Sequence, residues 1–544
     1  MLRTIAILAI GVSVPIRAHA QQVSSLHEPH ATVTAVRTST PPVIDGRLNE
    51  ETWSQATPAS DFTQHDPNDG QPATERTEVR VLYDDDAVYV GVRMFDSDAA
   101  HISRRLTNRD DSPDADSVAI LFDPRHDHLT GAEFIVSAAG VQRDSIISND
   151  TREDSSWDAV WGSAVSIDDQ GWTAEFRIPL SQLRFTATEH QTWGFNVSRF
   201  IRRKNETDWL ENVPKKDSGL AARMAHLVGF DLVRPGRHLE IVPYTATRGE
   251  FIAPDKPGNP FNDGSRVIGS TGLDLKARVS SSMTLDVTIN PDFGQAEVDP
   301  AVVNLSAFET FFEEKRRFFI EGAEIFNSFG QGGSHNFFGF NTSDPMIFYS
   351  RRIGRAPEGT GTGDFVDGPR ATTILGAVKL TGKTSNGWSV GVIEAVTNRE
   401  RARVMNGVTK SLVDVEPAAN YFVGRVKRDF NRGGVGMLAT WAAHSLGDPR
   451  LRDLLNRRAA VLGGDGYFFF DRKHEWVVTG KFSGSKVTGT PAEISRAQLA
   501  PQRYFQRPDA PEVSFDAGRT SLKGFAGRVN LNRNANAVQV NAAL

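Results

Sequence analysis

The feature that most constrains this chain is a period of two. In residues 283–290 (MTLDVTIN), Met283, Leu285, Val287 and Ile289 fall on one side, while Thr284, Asp286, Thr288 and Asn290 fall on the other. Successive side chains of an extended strand point to opposite faces, so the pattern specifies a sheet with one apolar and one polar face. Similar segments recur in pairs around turn residues. Residues 373–380 and 388–396 flank KTSNG (383–387), 419–430 and 435–444 flank NRGG (431–434), and 464–470 and 475–484 flank 471–474. Strands of roughly 8 to 11 residues have the length that crosses an outer membrane when tilted. Aromatic residues gather near the strand ends, at Trp388, Tyr467 to Phe470 and Trp476, as in the girdles of a membrane barrel. A soluble antiparallel sheet with one polar face would alternate in the same way. The barrel is the leading expectation for residues 237–544.

The first half has shorter strands, at 77–83, 87–95, 117–122, 132–137, 141–147, 171–178 and 191–201, with turns such as Asp84-Asp85-Asp86 and Ala138-Ala139-Gly140 between them. Many short strands at close spacing predict a sandwich or small barrel. Helical periodicity is confined to residues 49–56 and 301–314. The fold class expected is therefore all-β, an N-terminal β-sandwich followed by an antiparallel β-barrel.

Arg3, an apolar run over residues 5–16 and the small-residue site Ala18-His19-Ala20 form a secretory signal peptide. The run falls short of the roughly 20 apolar residues that a spanning helix needs. The chain has no cysteine, which excludes a thiol nucleophile and Cys-ligated zinc or iron–sulfur sites. The net charge is −6, from 61 basic and 67 acidic residues. A nucleic-acid partner would favour a basic face and is not expected. The expected organisation is a signal peptide over 1–20, a polar leader over 21–40, a sandwich over 41–200, a linker or sandwich edge over 201–236, and the barrel over 237–544. The localisation expected is the outer membrane, with a periplasmic N-terminal domain and membrane lipid as a partner of the barrel.

One ordered set of residues carries a family resemblance. It begins with Pro42-Val43-Ile44-Asp45-Gly46-Arg47-Leu48, Trp53 and Ala56, and continues with Val81-Leu82-Tyr83-Asp84-Asp85, Tyr89-Val90 and Asp116-Ser117. It ends with Phe122-Asp123-Pro124, Gly171-Trp172-Thr173-Ala174-Glu175 and Ile178-Pro179. This segment resembles the family 9 carbohydrate-binding modules. The second half resembles the domain of unknown function that follows such modules in many outer-membrane proteins. That likeness rests on Asn290-Pro291-Asp292-Phe293-Gly294-Gln295, Glu297-Val298-Asp299-Pro300, Asn304-Leu305, Phe311 to Arg316, Phe318 to Gly322, and Phe348 to Arg355. The resemblance implies a sandwich fused to an outer-membrane-type barrel and no established reaction. Such barrels end on a strand with a terminal aromatic residue, whereas this chain ends Val540-Asn541-Ala542-Ala543-Leu544. That departure predicts a barrel incomplete at its C-terminus.

The function expected is non-catalytic glycan binding by the sandwich, with the barrel anchoring it or passing solute. Relatives that bind sugar hold it between two tryptophans, and a flat rigid ring suits the apolar face of a sugar. Trp157 sits in a polar loop and Trp161 follows four residues later, where core packing is the competing role. Asp116 and Arg143 complete the candidate ligand-binding set. Trp53 and Trp172 read as core. Asp84 to Asp86, Asp110, Asp111, Asp114 and Asp116 could supply oxygens to calcium, but no complete calcium loop is present, and turn capping is the simpler role. No cofactor is expected. His126-Asp127-His128 lacks a third ligand for a metal. The rival reading is a glycoside hydrolase or hydrolase accessory, which needs two carboxylates across a cleft. Glu297 with Asp299 and Glu313 with Glu314 are the pairs at hand, the latter beside Lys315-Arg316-Arg317. Arg351, Arg352 and Arg355 could line the barrel interior or a loop and attract anionic sugars, but ion pairing with acids inside the barrel is the simpler role.

Overall fold

The computed structural model describes residues 31–544, except 112–113, 149, 156, 158, 186–188, 216, 218, 232–238, 255, 281, 292–309, 313, 333–345, 385, 431, 472–474, 511 and 534–539. The signal peptide, Glu297, Asp299, Glu313 and residues 301–309 of the helix expected over 301–314 lie outside the described residues, and the described residues 310–312 and 314 of that segment are not helical.

The N-terminal half is a two-sheet sandwich joined by one strand. The first half of Thr32–Arg37 pairs in parallel with Ala225–Asp231, and its second half pairs in parallel with Thr77–Tyr83. The chain thus crosses from one sheet to the other within six residues. One sheet continues through His190–Ile201, Ser117–Asp123, Gly131–Ser137 and Gln142–Ser148, and the other through Ala87–Phe95, Gly171–Pro179 and Gly162–Asp168. Glu206–Trp209 and Ala225–Asp231 both pair with His190–Ile201, so sandwich strands continue past residue 200. Trp172, Trp193, Phe122, Phe134, Phe176, Phe195 and Phe230 fill the space between the sheets and are almost wholly buried.

The P-V-I-D-G segment has a specific anchor. Glu175, on Gly171–Pro179, accepts hydrogen bonds from the backbone N–H groups of Asp45 (2.9 Å) and Gly46 (2.7 Å) and from Trp53 Nε1 (3.0 Å). Gly46 has φ +88°, and a Cβ there would stand 2.5 Å from the Val165 carbonyl carbon. Only glycine allows this turn to lie against the neighbouring strand. The fully buried Glu175 carboxylate is pushed up to about 7 by desolvation, against the hydrogen bonds that lower it.

The second half is built on an antiparallel sheet of eleven strands in chain order, beside a small sheet of Phe365–Asp367, Glu400–Asn406 and Thr409–Glu416. The eleven strands are Leu239–Glu250, Arg266–Ser280, Met283–Ile289, Ile374–Lys383, Trp388–Thr397, Ala419–Phe430, Gly433–His444, Arg458–Phe469, Trp476–Thr488, Ser521–Arg533 and Val540–Ala543. Among the described residues the first strand pairs only with the second and the last only with the tenth, so the sheet is open and no closed barrel forms.

Its burial is inverted. Asp286, Thr288, Lys379, Thr381, Lys383, Arg425, Lys427, Thr479, Asn530 and Asn532 are buried. Ile289, Val378, Val426, Val435, Met437, Trp441, Leu462, Phe482, Phe525 and Val529 are exposed. The cross-strand register Ala277–Leu285–Leu380–Val392–Gly424–Ala439–Leu462–Gly484–Phe525 draws one uncharged row across nine strands of the outward face. The polar face is covered by the segment around Arg317–Ile320 and Ala323–Asn327, whose Phe319, Ile325 and Phe326 pack on Ala377, Ile393, Ala395 and Val423. The sandwich covers more of this face, through Lys383, which pairs with Asp127 at 2.9 Å.

One sandwich carboxylate gives the fold a pH dependence. Asp208 is fully buried, neither of its oxygens has a hydrogen-bond donor among the described residues, and Glu206 lies beside it. Burial first, and then Glu206, push it up to about 7. An acid raised in the folded state supports the fold below its unfolded pKa and loses that contribution as pH rises through its folded value. The Asp208→Asn variant should therefore unfold at a higher temperature than the wild type at pH 8, by up to about 4 kcal/mol of stability. It should lose this advantage by pH 4. Thermal unfolding at the two pH values measures the difference, and equal midpoints at both would contradict it.

Candidate functional site

Within the sandwich, aromatic and polar residues meet around a single carboxylate. Asp144 lies on Gln142–Ser148 with its side chain fully buried. Its Oδ1 accepts from the Ala159 backbone N–H at 2.7 Å. Its Oδ2 accepts from Trp161 Nε1 at 3.0 Å and from Arg109 Nη2 at 2.6 Å. Desolvation raises the Asp144 pKa, and these three partners oppose the rise. Arg109 also donates to Gln142 Oε1 (2.6 Å) and to the Ala159 carbonyl (2.9 Å), and Gln142 in turn donates to Ser163 Oγ (2.8 Å). The loop that carries Trp157 and Trp161 is thus tied at its far end to a strand and to the loop bearing Arg109.

The two tryptophans have different roles. Trp161 is buried, stacks on Phe176 with centroids 5.6 Å apart and planes 5° apart, and meets Phe134 edge-on at 5.3 Å. It belongs to the core. Trp157 is only partly buried and meets the same Phe134 edge-on at 5.8 Å. Part of its surface stays accessible to solvent. Asp144, the direct cross-strand partner of Phe134, brings Arg109 and Gln142 to the same stretch of the sheet.

The structure therefore gathers Trp157 and Trp161, but neither Asp116 nor Arg143 joins them. Arg143 and Asp144 are adjacent on one strand, so their side chains leave opposite faces. Arg143 pairs with Glu153. Asp116 is buried in a separate charged cluster, where its Oδ1 accepts the Arg202 backbone N–H at 2.8 Å and burial raises its pKa. Sequence reading missed Asp144, Gln142 and Arg109. The signal for the first two was present, because positions two apart in a strand share a face.

The other candidates are accounted for locally. Asp84 caps its turn by accepting from the backbone N–H groups of Asp86 and Ala87 at 2.8 Å, and also accepts from Tyr89 OH. Asp114 pairs with Arg105 and Arg202. Asp127 accepts from Leu129 and Thr130, and His126 lies against His128 and His226. Among the described residues, no group of three or more His, Asp or Glu side chains is arranged to hold a metal ion. Glu314 is bound at both oxygens by Arg316 at 2.7 Å and by Ser350 Oγ at 2.5 Å. Arg355 pairs with Glu358 and Glu416 at 3.1 Å. Trp53 and Trp172 are core residues.

Two family profiles match the chain. Residues 44–210 match the carbohydrate family 9 binding domain-like family. Residues 235–488 match a domain of unknown function, DUF5916. The first match falls on the sandwich and the second on the eleven-stranded sheet. Among solved structures, a carbohydrate binding module family 9 from Caldicellulosiruptor kristjanssonii in complex with cellotriose is 16% identical. The match covers 38% of this chain and 98% of that chain, with a TM-score of 0.28. The same organism's module in complex with glucose is 15% identical over 37% of this chain and 96% of that chain, also at a TM-score of 0.28. No curated protein matches this chain.

The different burial of the two tryptophans has a measurable consequence. Trp161→Ala should cost about 3–5 kcal/mol of stability, the usual range for a large aromatic lost from a core. Trp157→Ala should cost less, about 1–2 kcal/mol, since part of its ring stays in water in the folded state. Urea unfolding of the two variants tests the ranking, and equal losses would mean that Trp157 is a core residue too.

Proposed function

We propose that the sandwich is a non-catalytic glycan-binding domain and that the second sheet is the wall of an outer-membrane β-barrel that anchors it or passes solute. The observation that carries the binding half is Trp157, an aromatic face held edge-on by Phe134 beside the polar Asp144–Arg109–Gln142 group. An apolar platform next to fixed hydrogen-bonding groups is what a sugar ring requires. The profile match over residues 44–210 supports the same reading.

The inverted burial of the second sheet supports the membrane half. A wall with lipid on one side must turn apolar side chains outward and keep polar ones inside. The outward face also has aromatic residues toward one set of strand ends, where Arg428 lies over the Trp388 ring at 5.4 Å and Arg432 over Phe468 at 5.4 Å. Rings beside cations suit the headgroup level of a bilayer. On Trp476–Thr488 the outward positions from Val478 to Gly484 are uncharged. At about 3.4 Å per residue they extend for about 20 Å along the strand. Closure of such a wall requires that the two open edges be paired, since unpaired backbone is costly in lipid. The N-terminal residues 1–20 supply the export signal on this reading.

Affinity electrophoresis in gels containing soluble β-glucan, run on the full chain, tests the first half. The wild type should be retarded, and Trp157→Ala should lose at least about tenfold in affinity, or about 1.4 kcal/mol. A Trp157→Ala variant retarded as strongly as the wild type would remove the platform. Heat-modifiability of membrane-extracted protein on a semi-native gel tests the second half. A mobility shift on boiling is expected of a folded barrel, and a periplasmic protein that stays soluble without detergent would overturn it.

A further inference from the structure

We propose that the outward face of the second sheet carries a binding site for a phosphate-bearing membrane lipid, with the phosphate on Lys486 and Lys523 and an acyl chain in the apolar groove beside them. The proposal rests on the membrane reading above and goes beyond it by naming the lipid chemistry and the residues.

The register brings the site together. Phe422, Trp441, Ala460, Lys486 and Lys523 are direct cross-strand partners in succession. They form one row on the outward face. Residues directly opposite on antiparallel strands have Cβ atoms about 4.5–5.5 Å apart. Lys486 and Lys523 therefore hold two like charges side by side, which disfavours the sheet unless an anion joins them. Both are exposed, and neither has an ion pair or hydrogen bond among the described residues. Arg458 lies outward in the next row, opposite Thr488. The outward cations at the other strand ends are differently placed. Arg428 lies over Trp388, Arg432 reaches the Phe470 carbonyl, and Arg533 pairs with Glu475.

Beside the lysines is a groove of about 610 Å³, lined by Phe422, Ala439, Trp441, Ala460, Leu462 and Gly484. The small side chains Ala439, Ala460 and Gly484 form its floor between larger walls. A Cβ placed on Gly484 would meet nothing within 4 Å. The glycine is therefore not required by protein packing, and its effect is to keep the groove open. An apolar trough that ends at two unpaired cations is complementary to an acyl chain that ends at a phosphate, and charge complementarity selects the anionic lipid over a zwitterionic one.

The test is a titration of the full chain, purified in detergent, with short-chain phosphatidic acid, phosphatidylcholine and inorganic phosphate, read by native mass spectrometry. The expected result is a preference for phosphatidic acid over both other probes. The double variant Lys486→Gln, Lys523→Gln should lower that affinity about 30-fold, at roughly 1 kcal/mol per lysine. Gly484→Leu should lower it too, with both lysines intact. A wild type that binds phosphatidic acid and phosphatidylcholine equally overturns the site. So does one that binds inorganic phosphate as tightly as phosphatidic acid, because the groove would then contribute nothing. A heat-modifiability gel on the same samples separates the two failures. If the wild type shifts on boiling but shows no preference, only the lipid site falls. If it does not shift and binds no lipid, the membrane reading falls and takes the site with it.

Discussion

The second half of this chain depends on charges that are buried on one face of a sheet and satisfied there. Arg425 and Asp465 are joined by two hydrogen bonds of 2.5 and 2.8 Å, and both side chains are almost wholly buried. The intervening position on the strand between them is Gly436, where a Cβ would stand 2.8 Å from both Arg425 Nη1 and Asp465 Oδ1. Lys379 lies 3.5 Å from Asp286 and donates to the Glu321 carbonyl at 2.6 Å, while the Glu321 carboxylate takes Lys276. Removing one partner of such a pair leaves an uncompensated buried charge, which costs about 3–5 kcal/mol. Strand alternation does the rest. Once these residues face inward, Val426, Met437, Leu462 and Phe482 have only the outward face available.

The same network joins the two halves. Lys383 reaches Asp127 on the sandwich and Asp429 on the sheet, and Asp429 also receives Lys427 at 3.1 Å and the Tyr467 hydroxyl at 3.0 Å. Arg184, from the sandwich, approaches Glu321 and Glu324. A cavity of only about 60 Å³ remains between Arg125, Thr130, Glu324, Lys383 and Lys427. The junction is polar and closely fitted, so its specificity comes from paired charges more than from buried apolar area.

Local pattern made the strands legible, and long-range pairing explains what was missed. The hairpins around 383–387 and 431–434 follow from alternation and turn residues. The faces of Met283–Ile289 were also legible, but the sequence could not say which face is buried, because a soluble sheet and a membrane wall alternate alike. The covering segment around Phe319 and Ile325 gave no signal either, since its role is set by Ala377 and Ile393 far along the chain. In the sandwich, Trp157 was found as an aromatic in a polar loop. Asp144 was passed over in favour of its neighbour Arg143, although Gln142 and Asp144 share a face by period two. Asp116 attracted notice as part of an acidic run, and its partner Arg202 is 86 residues away.

One hairpin links the candidate binding site to the sheet. Gly131–Ser137 pairs with Gln142–Ser148, with Gly131 opposite Ile147 and Val136 opposite Gln142. The Asp127 loop that meets Lys383 precedes Gly131, at one end of this ribbon. Gln142 lies at the other end, beside the Ala138 to Gly140 turn, with Arg109 bound to it and Asp144 two residues inward. Seven residues at about 3.4 Å each separate the ends by about 20 Å. The dock and the Trp157 group thus share a rigid two-stranded ribbon whose middle, at Phe134, is part of the sandwich core. Trp157 meets Phe134 at the middle of that ribbon, where Asp144 is the direct cross-strand partner of Phe134, and the loop that leads to Trp157 itself touches the second half through Arg152 and Gln331.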